Sequence, residues 1–269
     1  MQIILSTLRI SVALIFLLYA SFSDYKTREV SNKVWVFFAL SALALTVVEL
    51  PYYWSMPDIL SYGLCFGLTA AFAVILFYSG GFGGADAKAL MCLALVLPFY
   101  PEILLTPLSG TISLISEKFF PISVFSNSVL LAAATAIYIF LRNITWRIRT
   151  SRELFEQSQK NESFGKKALV LITGYKISVN KLKEKWHVYP LEDIEETGNE
   201  LKRKLLLVPK DESREAIVER LAKAVEAKKI QDMVWATPGL PMLIFITAGL
   251  IIALFLGDIV WIFVRFLLA

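Results

Sequence analysis

The sequence has few of the residues that build metal centres or covalent frameworks. It contains two cysteines, Cys65 and Cys92, and one histidine, His187, among 269 residues. Two thiols without a neighbouring histidine cannot supply the four ligands of a structural zinc site, and they do not suggest a disulfide framework. Because both cysteines fall within apolar segments, we expect them to be small packing residues.

Charged residues are also scarce, at 19% of the chain, whereas 57% of the chain is hydrophobic. Soluble domains have about a quarter of charged residues, so the composition favours a membrane protein. Several uncharged apolar runs reach about 18 residues or more, which is long enough to cross a bilayer as a helix. The six runs are Ile10–Ser23, Val34–Val48, Ile59–Tyr78, Ala89–Pro101, Phe119–Leu141 and Met233–Gly257.

These runs predict an α-helical polytopic membrane protein with six transmembrane helices. Residues 1–141 hold the first five helices and residues 233–269 hold the sixth. The first span, which Met1–Arg9 extend, lacks a basic n-region, because Arg9 is its only charge, so we expect a membrane span and not a cleaved signal peptide. Gly63 and Gly67 in the third helix form a small-residue pair, and we expect it to pack within the fold more than to form a dimer interface.

The distribution of positive charge predicts the orientation in the membrane. Residues 142–232 contain 20 of the 27 Lys and Arg residues, and the loop after the first helix contains Lys26, Arg28 and Lys33. Lys and Arg concentrate on cytoplasmic loops, so loops 1–2, 3–4 and 5–6 are expected to face the cytoplasm. The chain is therefore expected in the cell membrane, with both termini outside.

Residues 142–232 are expected to form a small α+β cytoplasmic domain between helices 5 and 6. Short runs of β-branched and aromatic residues predict strands at Lys167–Val179, Trp186–Pro190 and Leu205–Pro209. Asp211 is a plausible N-cap for a following helix, in which Ile217, Leu221 and Val225 share one face. Residues 142–163 are polar and are expected to extend the fifth helix or to form a linker.

Two aspartates stand at the cytoplasmic ends of predicted helices. Asp24 ends the first helix, and Asp86 follows the glycines of Tyr78–Leu90 (YSGGFGGADAKAL) and starts the fourth. Taken singly, Asp24 is an ordinary interfacial charge and Asp86 an ordinary N-cap. Lys88 and Arg28 are expected to be interfacial anchors.

Taken together, two carboxylates at one depth can share a single proton, because like charges at close range do not both ionise. One carboxylate then removes a proton from water while the protonated one polarises a carbonyl, which hydrolyses a peptide bond without a metal ion or other cofactor. Gly83 and Gly84 would let the backbone approach an extended substrate closely. The catalytic candidates are Asp24 and Asp86, and Gly83, Gly84 and Ala85 are candidates for the substrate-binding loop.

The segments Asp24–Lys33 (DYKTREVSNK) and Gly83–Lys88 (GGADAK) resemble the type IV prepilin peptidase family, and within it the archaeal preflagellin peptidase branch of the GxGD intramembrane aspartyl proteases. Ala85 departs from the strict Gly-x-Gly-Asp pattern but agrees with the looser one. The residues Thr237–Pro241 (TPGLP), which open the last predicted span, extend the resemblance over most of the membrane part. Bacterial relatives commonly carry paired CxxC motifs and methylate the new N-terminus, and this sequence has no such motif.

The resemblance implies an endopeptidase that removes a short basic leader, a class III signal peptide, from precursors with a hydrophobic N-terminal helix. The implied partners are archaellins or pilins and the lipid bilayer, not nucleic acid. Acids near the cytoplasmic mouth could read the leader, with candidates Glu29, Glu192, Asp193, Glu195 and Glu196. A solvated domain face is the more favoured explanation of that cluster.

Two other functions use the same residues differently. A transporter would use Asp24 and Asp86 to bind an ion or relay protons, but such proteins usually show internal repeats and midplane carboxylates, and this sequence shows neither. A membrane-anchored regulatory protein would leave the six helices and the Asp86 loop unexplained.

Overall fold

The computed structural model describes residues 1–79, 82–197, 200–206, 214–238 and 241–268. The chain is mostly helical and divides into two compact units. Unit 1 comprises Met1–Ala132 and Pro241–Ala269, and unit 2 comprises Ala133–Leu240.

Unit 1 is built from helices, most of them apolar over their whole length. Their bounds are α1 (Gln2–Thr27), α2 (Asn32–Tyr53), α3 (Met56–Tyr78), α4 (Gly84–Val96), α5 (Leu114–Lys118), α6 (Phe120–Thr150, shared with unit 2 from Ala133), α10 (Met242–Phe255) and α11 (Ile259–Leu268). Within the described residues, α1, α2, α3 and α6 are long and apolar enough to cross a membrane. The pair α10 and α11 would add a fifth span if the 54° bend between them belongs to one crossing.

The fourth predicted span differs most from its expectation. α4 begins at Gly84 and ends at Val96, so its 13 residues rise only about 20 Å, less than the ~30 Å of a hydrocarbon core. It packs against α1, α2, α3 and α10 and buries most of its side chains. The count of six spans is therefore not confirmed, because this run forms a short central helix.

The sixth predicted span was placed too early in the chain. Met233–Pro238 is a β-strand of unit 2, and the helix of unit 1 starts only at Met242. That helix ends at Phe255, and Gly257 has φ +96°, a conformation that favours glycine and allows the chain to turn into α11. The sequence stays apolar from Met233 onward, so hydropathy alone does not show where the strand ends and the helix begins.

The core of unit 1 is formed where α1, α2, α4 and α10 meet. Leu17, Phe38, Leu93, Ile246 and Leu250 are all buried there. Cys92 is buried in the same core, and Cys65 is buried as well, so the prediction that both cysteines are packing residues is confirmed.

A buried ion pair lies near the other end of α1 from Asp24. Arg9 Nη2 is 2.8 Å from Glu49 Oε2, and Arg9 also donates to Thr46 Oγ1 and to the Val96 carbonyl oxygen. The 15 residues between Arg9 and Asp24 correspond to about 22 Å of helix. Because its hydrogen bonds are satisfied, Arg9 can be buried without leaving an uncompensated charge.

The small-residue pair of α3 does not pack inside the fold. A Cβ atom added at Gly63 or Gly67 would meet nothing within 4 Å in the described part of the chain. The expectation of close internal packing at these glycines is therefore wrong.

Unit 2 combines short helices with two small antiparallel sheets. After α6 and a 3₁₀ helix (Gln157–Asn161) come α7 (Phe164–Thr173), β1 (Tyr175–Ser178), α8 (Val179–Glu184), β2 (Val188–Pro190), β3 (Glu192–Thr197), β4 (Glu200–Leu205), α9 (Arg214–Glu226) and β5 (Met233–Pro238). The first sheet has the order β1-β5-β2, and β3 pairs with β4. α9 buries Ile217 and Leu221, as the sequence predicts.

Two strand predictions need correction. Residues 164–173 form α7, so only the end of the predicted strand Lys167–Val179 is extended, in β1. The predicted strand Leu205–Pro209 coincides with β4 only at Leu205, and the rest of it beyond residue 206 lies outside the described residues, as does Asp211. The 10 residues of α7 have apolar and polar side chains at helical spacing. The short run of apolar and β-branched residues within it is also typical of a strand, so the local sequence does not reveal the helix.

A cluster of charged side chains is buried in unit 2. Arg203 forms ion pairs with Glu156 and Glu192, and Gln159 donates to Glu192. Lys176 is 5% exposed, and its Nζ lies 5.2 Å from the centre of the Trp235 ring.

Candidate active site

Asp24 lies in the last turn of α1, and its side chain is half-buried. The helix ends there because Arg28 adopts a left-handed conformation, with φ 59° and ψ 18°, and its N–H donates to the Asp24 carbonyl oxygen at 2.9 Å. Ser23 Oγ donates to the carbonyl oxygen of Glu29 at 2.8 Å and closes the same turn. Asp24 is thus held by a closed turn and not by a fraying helix end.

Arg28 combines two features that are uncommon together. A non-glycine residue with positive φ is strained by about 1–3 kcal/mol, and such strain clusters at functional sites. Its Nε is buried and has no hydrogen-bond partner among the described residues. Its positive charge acts on the Asp24 carboxyl group. Arg28 therefore combines a strained backbone with a positive charge that acts on a candidate catalytic carboxyl group.

Asp86 lies in the first turn of α4, with Gly83 as the N-cap residue. Its Oδ2 accepts the backbone N–H of Gly83 at 3.0 Å, which satisfies one of the free donors at the start of the helix. A Cβ atom at position 83 would lie 3.0 Å from that same oxygen. Glycine at 83 therefore leaves room for the carboxylate to rest against the backbone.

The other two loop candidates have structural contacts of their own. Among the described residues, a Cβ atom at Gly84 would meet only a ring carbon of Phe77, at 3.6 Å, which is an ordinary van der Waals distance. Ala85 packs against the core of unit 1. Of the three loop residues, Gly83 is the one that bears directly on Asp86.

The two aspartates lie at the same end of unit 1. The charge of Asp24 acts on the carboxyl group of Asp86, and the helices that carry them, α1 and α4, pack against each other. The last turn of α1 and the first turn of α4 therefore bring two half-buried carboxyl groups into electrostatic range. Such a pair is suited to proton transfer, because one member can be ionised while the other holds a proton.

A hydrogen-bonded clamp fixes α1 one turn before Asp24. Ser21 Oγ donates to the Leu243 carbonyl oxygen at 2.9 Å and lies 2.7 Å from Thr247 Oγ1. Both hydroxyl-bearing residues are buried. We call Ser21 and Thr247 the α1–α10 clamp, and it sets the rotation of the helix that presents Asp24.

Phe82 anchors the glycine loop ahead of Asp86. Its side chain is buried against Phe125, with ring centroids 5.6 Å apart, and its N–H donates to the Leu76 carbonyl oxygen at 3.1 Å. Gly80 and Gly81 of the same loop lie outside the described residues. A single aromatic residue among glycines is a sequence feature from which this anchor could have been predicted. The residues around Ser21 and Thr247 contain no comparable feature that indicates the α1–α10 clamp.

The acidic cluster expected to read a basic leader is not a free acidic surface. Glu192 is fully buried and paired with Arg203. Asp193 forms an ion pair with Arg220 at 2.6 Å, and Glu195 forms one with Lys204 at 3.1 Å. The hypothesis is therefore wrong for Glu192, whose carboxylate holds unit 2 together. Glu29 is exposed, and the Glu196 side chain lies outside the described residues.

Comparison with known families gives two matches that together span most of the chain. Residues 11–137 match the type IV leader peptidase family. Residues 166–259 match a second family model, described as archaeal peptidase A24 C-terminus type II. The first match contains both aspartates, and the second covers most of unit 2 with α10.

Individual relatives are similar over nearly their whole lengths. A preflagellin peptidase of Methanococcus voltae is 29% identical over 252 residues, which are 92% of this chain and 94% of the relative. Preflagellin peptidases of Methanocaldococcus jannaschii and Methanococcus maripaludis are 27% and 24% identical, over 92% and 90% of this chain and 93% and 92% of those relatives.

Proposed function

This chain belongs to the type IV leader peptidase family. We propose that it is a multi-pass membrane protein that hydrolyses a leader peptide bond with a pair of aspartates. The observation that carries this proposal is the placement of Asp24 and Asp86 in electrostatic contact at one end of unit 1. Relatives named preflagellin peptidase support preflagellin, the archaellin precursor, as the substrate. Pilin-like precursors share the required features of a short basic leader and a hydrophobic N-terminal helix.

The surroundings of the two carboxyl groups support different roles for them. Burial favours the protonated form of both carboxyl groups, and the positive charge of Arg28 opposes this at Asp24, so we take Asp24 as the base. Asp86 faces the charge of Asp24, which favours its protonated form. Since Oδ2 of Asp86 accepts the Gly83 N–H, Oδ1 is the oxygen that holds the shared proton.

In the first step, Asp24 takes a proton from water as the water oxygen attacks the scissile carbonyl carbon. Asp86 gives its proton to the carbonyl oxygen, which forms a neutral gem-diol and avoids a free oxyanion. In the second step the C–N bond breaks. The leaving nitrogen takes the proton from Asp24, and Asp86 recovers a proton from the gem-diol hydroxyl, so the pair returns to its initial state.

The substrate class follows from where the pair lies. Positive charge in the loop after α1 and in residues 142–232 supports a cytoplasmic location for this end of the helices. A basic leader remains in the cytoplasm by the same rule while the hydrophobic helix enters the bilayer, so the scissile bond comes to the level of the pair. In the transporter alternative the carboxylates would lie near the midplane, whereas this pair is at helix ends.

The test is leader removal from a preflagellin by the purified full chain in detergent. We expect Asp24→Asn and Asp86→Asn each to lower cleavage by at least about 10³-fold, because either change removes a proton carrier that the other cannot replace. Asp58→Asn is the matched control, since Asp58 is an exposed first-turn residue of α3. Full cleavage by either of the first two variants would show that the pair is not the catalytic centre.

A further inference from the structure

A groove of about 530 Å³ lies between α2 and α4 in unit 1. It is lined by residues at every third or fourth position of both helices, with one residue from α3. The lining residues are Asn32, Trp35, Val36, Ala39, Phe66, Lys88, Met91, Cys92 and Leu95. Four residues of each helix line it, and the first and last of them are seven positions apart, so the groove is about 10 Å long.

The floor of the groove is apolar and fixed. Trp35 and Cys92 are each 5% exposed, and Cys92 Sγ lies 3.8 Å from the Trp35 carbonyl oxygen. Val36 and Lys88 form exposed parts of its borders. A groove of this length accommodates less than two turns of a helix, or the part of an extended hydrocarbon chain nearest to its head group.

One end of the groove is polar and positively charged. Lys88 Nζ donates to Asn32 Oδ1 at 2.7 Å, and an ammonium group has two further hydrogens to donate. Asp86 is two residues away on the same helix and does not face Lys88, because such residues point to different sides. The charge of Lys88 is thus available to an anionic group at the mouth of the groove.

The Trp35 side chain contributes its ring to the groove and not its polar atom. Its indole N–H is buried and has no hydrogen bond within the part of the chain that the structure describes. Because that nitrogen has almost no accessible surface, a bound chain would contact the Trp35 ring. The polar contact that the groove offers to a ligand is therefore at Lys88 and Asn32.

We propose that the groove binds one hydrocarbon chain of an anionic membrane lipid, with the lipid phosphate at Lys88 and Asn32. An apolar chain joined to an anionic head matches the apolar floor and the single cationic end. The hydrophobic helix of a leader-bearing precursor is a poorer match, because its basic leader would be repelled by Lys88.

The lipid would join α2 to α4 close to Asp86, which precedes Lys88 by two residues. Occupancy would steady the first turn of α4. The readout is lipid binding, so this proposal and the proposed peptidase activity can fail separately.

The experiment measures lipid retention by native mass spectrometry of the full chain, taken from nanodiscs of phosphatidylcholine with or without phosphatidylglycerol. We expect one phosphatidylglycerol to be retained per chain in preference to phosphatidylcholine. Lys88→Gln should lower that retention about fivefold, the loss expected for one lysine near an anionic head group. Lys33→Gln is the matched control, because Lys33 is an exposed lysine of the same helix end that does not line the groove.

A second variant, Ala39→Phe, fills the groove and should reduce retention without altering the charge. Soluble glycerol phosphate should not displace the lipid, because it has the head group without the chain. If it does displace the lipid, the groove is a phosphate site and the proposal is overturned. Equal retention by wild type and Lys88→Gln would also overturn it. So would displacement of the lipid by the hydrophobic segment of a precursor, which would make the groove a substrate site.

Discussion

At the scale of single residues, the candidate site depends on small backbone details beside the two carboxyl groups. Arg28 closes α1 in a strained conformation, and its positive charge acts on the Asp24 carboxyl group. Gly83 offers its N–H to Asp86 and has no side chain to push that carboxylate away. Both residues act through the aspartates, so their replacement should change catalysis more than stability.

Gly83→Ala should lower the rate of leader cleavage at saturating substrate by about tenfold or more. The added methyl group would lie 3.0 Å from Asp86 Oδ2, so the carboxylate must shift, and small shifts at a reacting group are costly. Gly84→Ala should have a smaller effect, because its methyl group meets only Phe77 at 3.6 Å. Initial rates of preflagellin cleavage compare the two variants, and a larger loss for Gly84→Ala would contradict this account of Gly83.

Lys176 predicts how the stability of unit 2 depends on pH. Burial lowers the pKa of the Lys176 ammonium to about 8, against the attraction of Glu192. Below pH 8 the folded chain must hold a buried charge, which costs stability. Between about pH 8 and the ordinary lysine pKa of about 10.4, the unfolded chain binds more protons than the folded one, so stability rises with pH.

Lys176→Met should therefore stabilise unit 2 at pH 7, by about 1–3 kcal/mol, and should flatten the rise in stability above pH 8. Urea unfolding followed by tryptophan fluorescence measures this, because Trp235 stacks on Phe155 within unit 2. Lys183→Met serves as control, since Lys183 is exposed on α8. A wild-type protein whose stability does not rise between pH 8 and 10 would refute the prediction.

At the scale of elements, α1 and α4 present the aspartates only because other helices fix them. The α1–α10 clamp joins Ser21 to Thr247 one turn before Asp24, and the buried Phe82 holds the loop that enters α4. α4 is short and almost entirely surrounded by unit 1, so its first turn is held from several sides.

Thr247→Val should remove the hydroxyl of the clamp with little change in volume. Hydrogen bonds between membrane helices contribute about 0.6 kcal/mol on average and about 1.7 at most, so the loss of stability should be of that size. The double variant Ser21→Ala with Thr247→Val should lose less than the sum of the two single variants, because both remove the same bond. Unfolding in detergent measures the cycle, and strictly additive losses would show that the two hydroxyls do not cooperate.

At the scale of the whole molecule, two compact units alternate along the chain. Unit 1 takes residues from both ends of the sequence, while unit 2 is one continuous segment. α4 is not among the helices of unit 1 that have the length and hydropathy of a membrane span. The number of spans therefore cannot be counted from apolar runs alone.

Cysteine labelling in intact cells tests the proposed orientation. A membrane-impermeant maleimide should react with Thr106→Cys, which lies in the segment between α4 and α5, and should not react with Lys33→Cys. Both positions are exposed, so access depends on the side of the membrane. The native Cys65 and Cys92 are buried and should remain unreactive. Labelling of Lys33→Cys in intact cells, with Thr106→Cys protected, would reverse the orientation.

Composition and local pattern were sufficient for the properties that depend on neighbouring residues. Apolar runs predicted the long helices α1, α2, α3 and α6, because a span needs only length and hydropathy. The positions of Asp24 and Asp86 at helix ends also followed from such runs, whereas their catalytic role stays a prediction. The helical face of α9 was also visible as a spacing of three and four residues.

The tertiary structure alone decided the features that join distant parts of the chain. Met233–Pro238 is a strand because β1 and β2 supply partners on both of its edges, although its apolar sequence continues into α10. Glu192 is buried because Arg203 and Gln159 compensate its charge, and no pattern around residue 192 reveals those partners. Hydrogen bonds and ion pairs between residues far apart depend on how elements pack, and a sequence read locally specifies which elements can form but not which partners they meet.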